Sequence, residues 1–79
     1  MTQEDKYKLE ELVLDYESKV MNREYANNQH WNYMKSSNYK YGSNESLELA
    51  SKAAGASLAV ASAAGELAEF ISKKIKEIN

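Results

Sequence analysis

From Ala50 to Gly65 the chain reads Ala-Ser-Lys-Ala-Ala-Gly-Ala-Ser-Leu-Ala-Val-Ala-Ser-Ala-Ala-Gly. Alanine is the strongest helix former, so this run specifies a helix, and one whose surface is low in relief. The small residues fall in register. Stepping by three and four in alternation meets Leu47, Ala50, Ala54, Ser57, Ala61, Ala64, Ala68, Ile71, Ile75 and Ile78. That is a heptad seam in which only Ser57 is polar. A second track, Leu49, Ala53, Ala56, Val60, Ala63, Leu67 and Phe70, runs beside it and ends at Lys74. Alanine-sized side chains admit a neighbouring helix closer than the usual ~8–10 Å axial separation, provided the facing helix supplies the bulk. The helix therefore needs a partner, in the same chain or on another copy. Ala50, Ala54, Ser57, Ala61, Ala64, Ala68 and Ile71 are the expected packing line.

The bulk is available upstream. Leu9, Leu12, Val13, Tyr16 and Val20 share one helical face, and Tyr7, Leu14, Met21 and Tyr25 form a flanking line expected to widen it. Thr2 is a candidate N-cap, with Asp5 three residues on. The end of this first helix is open to three readings. Continuing the register through Trp31 and Met34 gives a helix over about 3–36; Asn27 and Asn28 favour an end near 26; and the alternation of Trp31/Tyr33 with Tyr39/Tyr41 around residues 36–38 permits a β-hairpin. The long helix matches its successor in length and is the expectation adopted. A turn over about 37–44, with Ser43 or Asn44 as cap, then leads to a second helix over about 45–78. Glu45 and Glu48 sit at its positive end, and Lys73, Lys74 and Lys76 at its negative end. Gly55 and Gly65 each cost ~1 kcal/mol in a helix interior, which argues for a packing reason behind them.

The expected fold is thus all-α: one small domain, an antiparallel two-helix hairpin with an alanine-rich seam. With 79 residues and no cysteine, such a chain buries only ~60% of its unfolded surface and has no disulfide to support it. Oligomerisation into a dimeric helical bundle is the expected remedy.

Composition excludes several functions. The net charge of −2 is not the basic balance of a nucleic-acid binder. His30 is the sole histidine, without the partners that a triad, a zinc site or a general base requires. Glu45/Glu48 and Glu66/Glu69 lack the Glu-x-x-His element of di-metal bundles, and read as solvated faces, with Glu69–Lys73 as an ion pair. Neither interior glycine belongs to a phosphate loop. No enzyme activity, metal or cofactor is expected. Thr2 to Glu11 is too polar for a signal peptide, and the uncharged stretch from Ala53 to Gly65 falls short of the ~20 residues of a membrane span. A cytoplasmic protein is therefore expected.

One segment stands apart. From Tyr25 to Asn44 there is no acid, only Lys35 and Lys40 among Tyr25, His30, Trp31, Tyr33, Tyr39 and Tyr41. Aromatics of this kind close small cores, anchor protein interfaces or, with more lysine than here, stack on nucleic-acid bases. Tyr25, Trp31, Tyr33, Lys35, Tyr39, Lys40 and Tyr41 are the candidate partner-binding residues. The expected function is a non-enzymatic protein–protein interaction module, a small regulator or inhibitor of another protein. Its composition suits a low-GC bacterium or its phages. The alternatives are a structural subunit of a helical oligomer or particle, and a peripheral membrane helix.

Overall fold

A computed structural model describes residues 1–78 and shows two helices, α1 (Gln3–Met34) and α2 (Asn44–Ile78), packed along their length as a hairpin. Of the three readings of the first helix, the long one holds. Asn27 and Asn28 lie inside α1, and no strand occurs among the described residues. The rod measures 57 × 16 × 14 Å, and no large side chain in it is fully buried.

Each end is fixed by a local device. At the open end, the Asp5 N–H donates to Thr2 Oγ1 and the Thr2 N–H to Asp5 Oδ2, both at 3.1 Å, a reciprocal capping box. The other Asp5 oxygen receives Lys74 Nζ at 3.0 Å, and Lys74 also reaches Glu77 at 3.0 Å. The cap of α1 is thereby tied to the C-terminal end of α2. The hydrogen bond from Lys74, then that from the Thr2 backbone, holds the Asp5 carboxyl below its ordinary 3.8. Asp5, then Glu77, holds the Lys74 ammonium above its ordinary 10.5.

The stability supplied by Asp5 is fully present above about pH 3.8 and is lost as pH falls through the lowered value. That supplied by Lys74 is present below about pH 10.5 and is lost as pH rises through the raised value. Thermal midpoints followed from pH 6 to pH 2 should therefore fall less steeply for Asp5→Asn than for the wild type. Parallel acid limbs would place the loss in other carboxylates.

At the closed end, the Tyr33 hydroxyl lies 3.1 Å from Ser43 Oγ, and Ser43 Oγ in turn accepts the Ser46 N–H at 3.2 Å, capping α2. Tyr33 also packs edge-on against Tyr39, with ring centroids 5.6 Å apart. Gly42 takes φ +77°, the left-handed conformation that favours glycine.

The core between these ends differs from the expected seam by one residue. Ala53, Val60 and Ala63 are buried, with Leu49, Ala56, Leu67 and Phe70 half-buried beside them. It is the second track that meets α1. Of the expected packing line, Ala50 and Ala64 are half-buried at its edge, whereas Ala54, Ser57, Ala61, Ala68 and Ile71 are exposed. One residue of offset turns a helix by ~100°, so the seam faces sideways out of the hairpin.

On α1 the buried residue is Leu12, flanked by half-buried Leu9, Val13, Tyr16 and Val20. Counting inward from Asp5–Lys74 sets Leu12 level with Leu67, Tyr16 with Ala63 and Lys19 with Val60. Past Tyr16 polar residues enter the facing side of α1: Lys19, Arg23 and His30 are half-buried, their apolar stems and ring level with Val60, Ala56 and Leu49 of α2. The flanking line Tyr7, Leu14, Met21 and Tyr25 is exposed and does not widen the core. The expected Glu69–Lys73 pair is replaced in α2 by Glu48–Lys52 at 3.2 Å and by Lys74–Glu77.

The interior glycines have no packing reason within the hairpin. A Cβ built at Gly55 or Gly65 meets nothing within 4 Å. Gly55→Ala is accordingly expected to stabilise the fold by ~1 kcal/mol, the helix-propensity gain, read as a raised melting midpoint. A lowered midpoint would show that position 55 is contacted by something other than α1.

Candidate interaction surfaces

Three surfaces remain for function: the aromatic turn end, the seam flank of α2 and the polar flank opposite it.

At the turn end the expected partner-binding residues divide into two groups. Tyr33 and Tyr39 are half-buried and close the turn; the Tyr33 hydroxyl, besides its contact with Ser43, accepts the Lys40 N–H at 3.4 Å. Trp31, Tyr41, Tyr25, Lys35 and Lys40 are exposed, with Trp31 at 56% and Tyr41 at 92% of their full accessibility. Lys35 Nζ stands 5.4 Å from the Trp31 ring, a cation–π contact that steadies the indole without covering it. Tyr25 lies roughly 120° around α1 from Trp31 and receives the Gln29 side chain at 3.0 Å. It does not share a patch with the indole. The segment is therefore neither all core nor all interface. Two tyrosines close the turn; Tyr41, Lys35 and Lys40 project from it, and Trp31 from the end of α1 beside it. The separating signal in the sequence was the Tyr33–Ser43 spacing, which becomes meaningful only once the turn is drawn.

The seam flank is apolar for the whole length of α2. Leu47, Ile75 and Ile78 are more than half exposed there, and Ile71, Ile75 and Ile78 join Leu9, Phe70, Met1 and Lys74 around a hollow of about 260 Å³. Val13, Val20 and Met34 of α1 are half-buried along the same side. An 18-residue window of α2 reaches a mean hydropathy of 1.2 with only 11% of it buried, so by length and composition alone this helix is long and apolar enough to cross a membrane. The uncharged stretch considered in isolation understated this, because Leu67, Ala68, Phe70 and Ile71 continue the apolar run past Glu66.

The opposite flank is polar. A larger open hollow of about 380 Å³ there is lined by Lys8, Glu66, Glu69 and Lys73 over Leu12 and Phe70. Its charges balance, and no group of three or more His, Cys, Asp or Glu able to hold a metal occurs among the described residues. His30 lies half-buried on the facing side of α1. Comparison of the chain with protein-family models, curated proteins and solved structures finds no match.

Proposed function

We propose that this chain is a non-enzymatic protein–protein interaction module, a small regulator or inhibitor that meets its target with the turn end of the hairpin. One observation carries the reading: Trp31 and Tyr41 stand outside the fold while Tyr33 closes the turn without them. An indole exposed on the last turn of α1 and a phenol exposed on the turn add little to hairpin stability. Such residues supply large contact area at low entropic cost and are the types enriched at binding hot spots. Lys35 and Lys40 beside them, in a segment without acids, favour a target surface of negative potential at the rim.

The test is capture from host lysate with the full chain as bait, using Trp31→Ala/Tyr41→Ala as the matched control. A protein retained by the wild type and lost by the double variant, at equal helicity, supports the proposal. Identical captures by both chains reject it.

A further inference from the structure

We infer that the seam flank of α2 is a self-association face, covered by the α2 of a second copy running antiparallel to the first. The inference does not rest on the turn-end reading: the face runs along α2 from Leu47 to Ile78, and Trp31, in heptad line with Glu10, Glu17 and Glu24, borders only its turn end.

Area gives the first reason. A compact monomer of 8.9 kDa exposes about 4,800 Å² by the usual size scaling. This hairpin exposes 6064 Å², an excess of about 1,250 Å², against the ~800 Å² that each partner contributes to a standard stable interface. The chain therefore has surface to give up in a dimer.

Self-complementarity gives the second. A two-fold interface requires that whatever projects at one end of the stripe be received at the other. Leu47, 60% exposed, projects at the turn end. The apolar hollow bounded by Ile71, Ile75 and Ile78 lies at the opposite end of the same stripe. With two α2 helices antiparallel and their two-fold axis close to Ala61, each Leu47 meets the partner's hollow. Ile71 and Ile75 of each copy then face the partner's Leu47 and Ala50. Between these ends both stripes are small, so the helices approach closely at Ala61 and Ala64.

Charge gives the third. Every residue of the seam is uncharged, as are Ser51, Leu58, Gly65 and Ser72 along its outer edge; the one charge on the wall of the hollow, Lys74, is already paired with Asp5 and Glu77. On the neighbouring helix, Glu10, Glu17 and Glu24 recur at heptad spacing toward this side. Those acids, with the net charge of −2, oppose an anionic bilayer as the occupant.

Sedimentation equilibrium of the full chain is expected to give twice the 8.9 kDa protomer mass. Ala61→Glu places an unpaired charge at the centre and should raise the dimer dissociation constant by at least about a hundredfold. Its helicity should be unchanged, because position 61 is exposed in the hairpin. Ser62→Glu, directed away from the seam, should stay dimeric. The chain has no native cysteine, so single cysteines report direction. Under oxidation Ala61→Cys should cross-link to itself, and Leu47→Cys, roughly 40 Å from its mate in the antiparallel pair, should not. A wild type that is monomeric at 100 µM overturns the inference and leaves the turn-end proposal standing. Cross-linking by Leu47→Cys overturns the antiparallel arrangement. Co-sedimentation of a monomeric wild type with phosphatidylcholine vesicles, abolished by Ala61→Glu, would assign the face to lipid instead.

Discussion

Leu12→Ala is expected to unfold the hairpin or lower its melting midpoint by at least about 10 °C, while Leu14→Ala, two residues on, leaves the melt almost unchanged. Both are leucines in the middle of α1, and sequence alone gives both to the apolar face. The structure separates them: Leu12 is 8% exposed and Leu14 57% exposed. A domain of this length has a total stability of about 4–12 kcal/mol, and a rod without a fully buried large side chain belongs at the lower end. Truncating a buried leucine costs ~2–5 kcal/mol, a large part of that total, at ~4–8 °C per kcal/mol for a domain this small. Truncating an exposed one stays within ~0.5 kcal/mol. Paired thermal melts by circular dichroism decide it. Equal shifts would mean that the true interface of α1 lies between the two leucines, and that the register set by Asp5–Lys74 is wrong.

That register explains what was legible in the sequence and what was not. The two helices, their lengths and the N-cap at Thr2 are local properties: helix formers, an absence of proline, a capping residue and turn residues at Gly42 and Ser43. All of these could be read directly. Which face of α2 meets α1 is not a local property. The seam and the second track are both heptad-spaced, both small and one residue apart, and the seam is the longer and more uniformly apolar of the two. Continuity of apolar residues therefore favours the seam.

What decides instead is placement of the few large and charged groups. Val60, Leu67 and Phe70 give the second track bulk to set against α1. Lys74, which ends that track in the sequence, is the residue that pairs with Asp5. A charge on an apolar line read as its limit, whereas here it is the ion pair that closes the core. The exposure of Tyr7, Leu14 and Met21 follows from the same rotation. With α1 turned to bring Leu9, Leu12 and Tyr16 onto α2, a line two residues ahead or behind must face outward.

The aromatic segment makes the opposite case, in which residue type was informative and location was not. Replacing Trp31 and Tyr41 together by alanine is expected to weaken target binding at least ~30-fold, corresponding to the ~2 kcal/mol or more of a single aromatic hot spot, with helicity and melting midpoint nearly intact. Both rings are more than half exposed, and neither hydroxyl nor indole nitrogen serves the turn, so the fold loses little besides the Lys35 contact over Trp31. Tyr33→Ala should behave in the reverse sense. It removes the hydroxyl bound to Ser43 and the edge-on contact with Tyr39, for a loss of about 1–3 kcal/mol of hairpin stability. Any loss of binding in Tyr33→Ala should therefore recover on cooling, as the turn re-forms, whereas the loss in Trp31→Ala/Tyr41→Ala should persist at every temperature at which the chain is folded. Calorimetric titration of the captured target at two temperatures separates the variants. If the double variant melts early and regains affinity in the cold, Trp31 and Tyr41 are part of the scaffold, and the binding surface lies elsewhere on the rod.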